Sequence, residues 1–220
     1  MFKKLMDKLK SMASGHSAFD PSFFDDSVAM QTEWGPAKGG GANFGTHKLV
    51  TVNPSRLEFK ASIGAKLFYL LFLFVGLGVL IGFSVKGISS GTLGLNADTV
   101  LPLVFGSIFA LAGGGMFYVG TAPIVFDKQK GWFWKGRKAP DRVFDKSAIK
   151  HLAEIGQIHA LQLISEHCSG DKSSYYSYEI NIVLEDGRRI NVVDHGNEKR
   201  IRADADTLSE FLGIPLWDGI

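Results

Sequence analysis

The sequence predicts an α+β membrane protein: a two-helix transmembrane hairpin plus a cytoplasmic β-barrel capped by a C-terminal helix. Two uncharged apolar stretches, Leu67–Val85 and Val100–Thr121, predict the hairpin. Short β-like runs separated by turn signals predict the barrel within 122–220. Near the end of the chain the apolar residues change from a two-residue to a helical period, which predicts the capping helix.

Residues 1–13 are predicted to form a basic amphipathic helix. Apolar residues fall at helical spacing and lysines occupy the remaining surface, so the helix can lie among the headgroups of an anionic leaflet. The alternative is a frayed, solvated N-terminus, because so short a helix is marginal in water. No signal peptide is predicted, since polar residues follow where an apolar core would be required. The apolar residues are Phe2, Leu5, Met6, Leu9 and Met12 and the lysines are Lys3, Lys4, Lys8 and Lys10.

Residues 14–46 are predicted to be a linker, because they are rich in Gly, Ser, Ala and Asp and include the run Gly39–Gly41. The aromatic residues in this segment are unusual for disorder and predict that parts of it dock elsewhere. Two β-like runs within 47–62 flank the turn Asn53–Ser55 and predict a hairpin before the first span. Whether this hairpin joins the C-terminal sheet stays open.

The hairpin over 63–121 has two predicted spans. A helix over Leu67–Val85 would be about 28 Å long at ~1.5 Å per residue, close to the ~30 Å hydrocarbon core of a bilayer. Positive charges flank the outer ends of both spans, whereas the connecting segment carries one lysine. The positive-inside rule then predicts a multi-pass protein of the bacterial inner membrane with both termini in the cytoplasm. The flanking charges are Lys48, Arg56, Lys60 and Lys66 before the first span and Lys128, Lys130, Lys135, Arg137 and Lys138 after the second.

Small residues recur every four positions in the spans and predict close helix packing. Packing of the two spans on each other is the preferred interpretation, with self-association or docking onto another membrane protein as the alternatives. The absence of charged residues from both spans argues against an intramembrane ion pathway. The predicted packing residues are Gly78, Gly82, Gly106, Ala110 and Gly114.

The remaining 122–220 is predicted to be one cytoplasmic domain of antiparallel strands and a terminal helix. Its first hairpin runs from Ile124 to Trp134, and a second is centred on Asp186-Gly187, a strong two-residue turn signal. The helix begins near Glu198 and stops at Gly213. The other strands are predicted at His159–Ile164, Tyr178–Leu184 and Arg189–Val193.

The order of these elements resembles a membrane-anchored bacterial pleckstrin-homology-like domain protein, in which a transmembrane hairpin is fused to such a barrel. The resemblance is architectural and has no invariant motif. It implies a binding module for lipid headgroups, peptides or partner proteins, and it implies no catalytic residue. The stretches that carry it are Ile124–Lys135, His159–Glu166, Tyr178–Arg189 and Leu208–Asp218.

A basic cluster at the first hairpin is the candidate lipid-headgroup site that this resemblance implies. The alternative is that these charges only set the membrane topology. Trp132 and Trp134 are predicted interface anchors, or else residues that fill the barrel. The cluster consists of Lys128, Lys130, Lys135, Arg137 and Lys138.

The remaining composition restricts the function. The single Cys168 excludes an internal disulfide or a C-x-x-C site, the histidines show no metal-ligand spacing, and no cofactor or nucleic acid is predicted. We therefore predict a non-enzymatic inner-membrane scaffold or accessory protein whose cytoplasmic domain binds a membrane-associated protein partner. The alternatives are an anionic-lipid-sensing or envelope-stress module and a membrane immunity or defence protein; membrane lipids and self-association are further expected partners.

Overall fold

The computed structural model describes residues 19–91, 94, 96–169 and 174–220, so the predicted helix over 1–13 lies outside the described residues. The chain divides into two compact units, Phe44–Ala153 and, together, Met1–Asn43 with Glu154–Ile220. The helices are α1 (Ser27–Gln31), α2 (Ile63–Ser89), α3 (Ala97–Gly120) and α4 (Glu198–Leu212). The strands are β1 (His47–Asn53), β2 (Arg56–Ala61), β3 (Ile124–Asp127), β4 (Trp132–Lys135), β5 (Leu152–Glu154), β6 (Ile158–Ser169), β7 (Ser174–Leu184), β8 (Arg189–His195) and β9 (Leu216–Gly219).

The predicted α+β class with two long apolar helices is confirmed, and the strands form two sheets of order β1-β2-β3-β4-β5 and β8-β7-β6-β9. Neither sheet closes on itself among the described residues, so the predicted barrel is not seen. The segment 122–220 contributes to both sheets, because β3, β4 and β5 share a sheet with β1 and β2, whereas β6 to β9 form the other sheet. The hairpin over 47–62 thus shares a sheet with the start of the predicted cytoplasmic domain.

The two long helices are continuous with the first sheet. Only Ser62 separates β2 from α2, and its hydroxyl caps the helix by accepting from the Ala65 N–H at 3.1 Å. At the other end, residues 121–123 separate α3 from β3. Both helices are long and apolar enough to span a membrane, and few of their residues are buried. Neighbouring strands of one sheet therefore lead directly into and out of the helix pair.

The first sheet has one apolar and one mixed face, as strand alternation requires. Leu57, Phe126 and Phe133 lie in register across β2, β3 and β4 and are fully buried. Arg56, Asp127 and Trp132 form the adjacent row, which belongs to the opposite face. This mixed face holds the charged residues of the candidate site.

The second sheet is an antiparallel β8-β7-β6 arrangement to which β9 adds in parallel beside β6. The connection to β9 is α4, which contacts β6, β7 and β9 and buries Ile201, Ala205 and Leu208. Gly213 ends α4 with a φ of 72°, a left-handed conformation that favours glycine, and donates its N–H to Ser209 O at 2.8 Å.

Part of the predicted linker over 14–46 packs on the second sheet. Asp26 caps α1 through the Val28 and Ala29 N–H groups. Trp34 donates its indole N–H to Ala29 O at 3.0 Å and stacks on Phe24 at 5.4 Å between ring centroids. The segment covers an apolar patch because its aromatic residues supply enough buried area to offset the entropy of ordering it. The cluster comprises Phe24, Val28, Ala29, Trp34, Ala160, Val183 and Trp217.

Candidate functional site

The backbones of α2 and α3 approach closely at Gly76 and at Gly113. A Cβ added at Gly76 would overlap the Ala110 backbone and would come within 2.6 Å of Gly106 O. A Cβ at Gly113 would lie 2.7 Å from the Leu73 Cα. These positions therefore require glycine, because any side chain would force the two backbones apart.

Of the predicted packing residues, Gly106 and Ala110 lie at the contact with Gly76, and the other three do not make a comparably close contact. A Cβ added at Gly78 or Gly82 would meet no described atom within 4 Å, and one at Gly114 would make only an ordinary contact at 3.9 Å with Leu73 Cδ1. Gly78 and Gly82 therefore lie off the α2–α3 contact, and self-association or docking through them stays a prediction. Gly106, Gly113 and Gly120 recur every seven residues, which is the period of left-handed helix packing and the signal that identifies the contact face.

The structure separates the basic residues that the sequence placed in one cluster. Lys128 and Lys130 lie at the β3–β4 turn, where the Lys128 N–H donates to Ser55 O at 2.8 Å. Lys135 pairs with Ile124, at the end of the sheet next to α3. The two groups are about 10 Å apart along the strands, at ~3.3 Å per residue. The hairpin therefore places the turn lysines and Lys135 at opposite ends of the strands.

A cavity of about 250 Å³ lies on the mixed face of the first sheet and brings together a different basic set. Lys130 and Arg137 belong to both the predicted and the observed sets, whereas Arg56 and Arg142 were not predicted. We call this cavity the anion pocket. Its lining residues are Arg56, Pro123, Val125, Lys130, Trp134, Gly136, Arg137, Ala139 and Arg142.

Acceptors already engage most of the cations in the anion pocket. Arg56 donates to Glu58 Oε1 at 2.6 Å and to Asp127 Oδ2 at 3.1 Å. Lys130 Nζ donates to Asp141 Oδ2 at 2.5 Å, and this hydrogen bond is the main reason that the pKa of Asp141 lies below its usual value. Arg142 has no ion pair among the described residues and is exposed.

Arg137 caps the C-terminus of α3. Its Nη2 donates to Tyr118 O at 2.9 Å and to Thr121 Oγ1 at 2.6 Å, and its guanidinium lies 5.0 Å from the Tyr118 ring centroid. The cation therefore satisfies a carbonyl that the helix end leaves without a partner and favours the negative end of the helix dipole. Arg137 fixes the sheet to the helix pair as well as lining the pocket.

The two tryptophans predicted as interface anchors have different surroundings. Trp134 is only 2% exposed and lies beneath Arg56, 5.3 Å from the guanidinium to the ring centroid, so it is a packing residue. Trp132 is half-buried, and Lys146 Nζ lies 4.2 Å from its ring centroid. Since Trp132 pairs with Asp127 at the turn, it lies at the end of the sheet away from the helices.

A second polar surface lies on the second sheet, beneath residues 33–41, which we call the strap. The sheet's side chains bind backbone groups of the strap. Gln162 Nε2 donates to Glu33 O at 3.0 Å, and Arg189 Nη1 donates to Gly35 O at 2.7 Å. The Ala37 N–H donates to Glu179 Oε1 at 2.6 Å.

The glycine run of the strap continues this pattern. The N–H groups of Gly40 and Gly41 donate to the two oxygens of Glu166, each at 3.1 Å, and Tyr175 donates its hydroxyl to Gly41 O at 3.0 Å. A Cβ at Gly41 would lie 2.5 Å from Ser177 Cβ. The glycine that indicated a flexible linker in the sequence is therefore required for a close approach.

The side chains beneath the strap are polar although they are buried. Gln162, Glu179 and Asn181 are at most 4% exposed. Burial raises the pKa of Glu179, against the hydrogen bonds from the Ala37 N–H and from Asn181, which lower it. Sequence analysis missed this surface because its residues alternate with apolar ones in strands that read as ordinary core strands.

No group of His, Cys, Asp and Glu among the described residues is placed to hold a metal ion. No protein-family model, curated protein or solved structure matches this chain. The described residues offer two polar surfaces: the anion pocket of the first sheet and the strap-covered face of the second sheet.

Proposed function

We propose that this protein is a non-enzymatic membrane-anchored scaffold or accessory protein, in which α2 and α3 span the bilayer and the sheets serve a membrane-associated protein partner. The supporting observation is the exposure of the helix pair. Leu71, Ile81 and Leu111 are 60–76% exposed, and so large an apolar surface is favoured where lipid replaces water. The few-residue connections to β2 and β3 then hold the first sheet at the membrane surface.

The proposed location is the bacterial inner membrane with both termini in the cytoplasm. Lys60 and Lys66 lie at the β2–α2 junction, and Lys135, Arg137 and Lys138 follow β3 on the same side. The positive-inside rule favours this side as cytoplasmic. The proposed pleckstrin-homology-like plan is supported only by element order: antiparallel strands, a helix pair inserted between β2 and β3, further antiparallel strands and a helix.

The test of the scaffold function is recovery of the intact protein from its native membrane after cross-linking, followed by quantitative mass spectrometry. We expect a protein partner at about equal molar amount. The same recovery from membranes that lack the protein supplies the control. Recovery of the protein alone under all conditions would contradict a scaffold function.

The second candidate function is recognition of an anionic lipid headgroup, and the anion pocket specifically favours it. Arg142 has no ion pair among the described residues, and Arg137 places the pocket beside the end of α3. Guanidinium groups bind phosphate through paired hydrogen bonds. Native mass spectrometry of the full chain with phosphatidylglycerol or phosphatidylcholine tests this function. We expect Arg142→Gln, but not the exposed Lys138→Gln, to abolish a preference for the anionic lipid; equal retention of both lipids would contradict it.

A further inference from the structure

The surface beneath the strap binds mainly its backbone, and two ion pairs, Glu33 with Arg189 and Lys38 with Asp194, add side-chain contacts. Across 33–41, three carbonyl groups accept and three N–H groups donate, each to a side chain of the second sheet. Main-chain recognition of an extended segment is the basis of peptide binding to many domains, because it gives affinity with little dependence on sequence. Ser177 leaves no room for a side chain at Gly41, so any segment bound in this way requires glycine at that position.

The covered face has the composition of a surface that can be uncovered. Gln162, Glu179 and Asn181 would regain hydrogen bonds to water if the strap left, whereas an apolar face would gain none. The buried Ser177 Oγ has no hydrogen-bond partner among the described residues, so the strap does not use every polar group that the face offers. This face is thus incompletely matched to its present occupant.

The aromatic end of the segment differs from the strap. Phe24 and Trp34 pack on Trp217, with 5.9 Å and 6.0 Å between ring centroids, and provide an apolar anchor. Beyond Trp34 the contacts are polar. An occupant of the whole surface would therefore combine an aromatic residue with an extended, glycine-containing stretch on its C-terminal side.

We infer that the face beneath the strap is a peptide-binding surface, that residues 33–41 occupy it in the resting protein, and that an extended glycine-containing segment of a protein partner replaces them. This inference rests on the proposed scaffold function and specifies the chemistry of its partner. The strap then limits binding to a partner that can compete with a covalently attached segment, whose local concentration is high.

The first test is hydrogen exchange of the full chain in lipid nanodiscs. We expect the amides of Ala37, Gly40 and Gly41 to exchange at least tenfold faster than those of Ile180 and Ile182 in β7, because the strap opens without unfolding of the sheet. Exchange of both sets at the same rate would show that the strap opens only with global unfolding and would overturn the inference.

The second test uses a fluorescent peptide with the sequence of residues 19–43 as the probe. Gly41→Val displaces the strap but leaves the face unchanged, so we expect it to bind the peptide at least tenfold more tightly than the original protein does. Gly156→Val is the control, since Gly156 lies outside the strap and a Cβ there would meet no described atom within 4 Å. A peptide carrying the same Gly41→Val change should not bind.

Ala37→Pro provides a second way to open the strap if Gly41→Val does not fold, because it removes one N–H donor without adding bulk near Ser177. Equal peptide binding by the original protein, the control and the opened variants, or no binding by any folded opened variant, would overturn the inference. If a protein partner were recovered equally with intact and opened straps, the scaffold function would be supported and only the peptide-binding surface would be contradicted.

Discussion

The helix pair and the strap both depend on glycine, but glycine has a different use in each. At Gly76 and Gly113 it brings one backbone against another, and the contact consists of van der Waals packing. At Gly41 it brings a backbone against polar side chains, and the contact consists of hydrogen bonds. The helix contact has nothing to gain from water, whereas every group in the strap contact can bind water instead. We infer from this difference that the strap contact can exchange with water or with another segment, whereas the helix contact stays closed.

The largest expected effect is on the helix pair. Gly76→Leu should destabilise the protein by about 3 kcal/mol, because the added side chain overlaps the Ala110 backbone and cannot be accommodated by a rotamer change. Unfolding of the full chain by a denaturing detergent in mixed micelles measures the effect. Gly78→Leu, two residues away on the same helix, is the matched control and should change stability by less than about 0.5 kcal/mol. Equal effects of the two variants would refute the packing face assigned to α2.

The next largest expected loss of stability is at Trp34, the aromatic anchor of the strap. Trp34→Ala removes ring contacts with Phe24 and Trp217 from a half-buried site, and it should cost about 2 kcal/mol, below the usual range for a fully buried tryptophan. Hydrogen exchange should show the loss at α1 and the strap, with β7 unchanged. Phe23→Ala is the control, since Phe23 is 85% exposed. Loss of protection throughout β6 and β7 would show that the strap is an integral part of the sheet's core.

The cap that joins the sheet to the helix pair should have a smaller effect. Arg137→Gln removes the guanidinium from the Tyr118 ring and from the end of α3, which should cost about 1 kcal/mol. Exchange of the amides in the last turn of α3 measures the local effect in nanodiscs. Lys138→Gln should leave that turn unchanged. If Arg137→Gln and Lys138→Gln changed the exchange in that turn equally, Arg137 would act there only as a general surface charge.

The smallest expected effect is a dependence on pH. It should appear in the strap contact and be absent from the helix contact. The pKa of Glu179 in the docked state lies above the ordinary value of 4.5, mainly through burial, so docking takes up a proton. Docking therefore weakens as the pH rises from the ordinary pKa through the raised one. We expect protection factors of Gly40 and Gly41 to fall as the pH rises from the ordinary value of 4.5 through the raised pKa of Glu179, while the stability of the helix contact stays constant. Glu179→Gln should flatten the strap's profile; an unchanged profile would exclude Glu179 as its cause.

The sequence predicts the local elements of the fold better than their pairing. Apolar length and turn chemistry locate α2, α3 and most strands, because both depend on neighbouring residues. The pairing of β2 with β3 joins segments separated by the whole helix pair, and no local pattern encodes it. The division of 122–220 between two units follows from that pairing and was missed for the same reason.

The candidate sites show the same limit. Lys128 and Lys135 are close in sequence, but a hairpin separates them, whereas Arg56 reaches the anion pocket from a strand that precedes the helices. The glycine run of the strap indicated flexibility because local composition does not reveal that Ser177 lies beneath Gly41. In α2, Gly78 and Gly82 satisfied a spacing rule, but Gly76 lies on the face that meets α3. Distance in space, which the sequence alone does not supply, decides each case.

The most direct test of the proposed account is the membrane topology of the helix pair. In a Cys168→Ser background, single cysteines at Ser55, in the β1–β2 turn, and at Ser90, after α2, would be labelled with an impermeant maleimide in vesicles of each orientation. The account predicts labelling from opposite faces, with Ser55→Cys on the cytoplasmic side. Labelling of both positions from the same face would show that α2 does not cross the bilayer and would contradict the account.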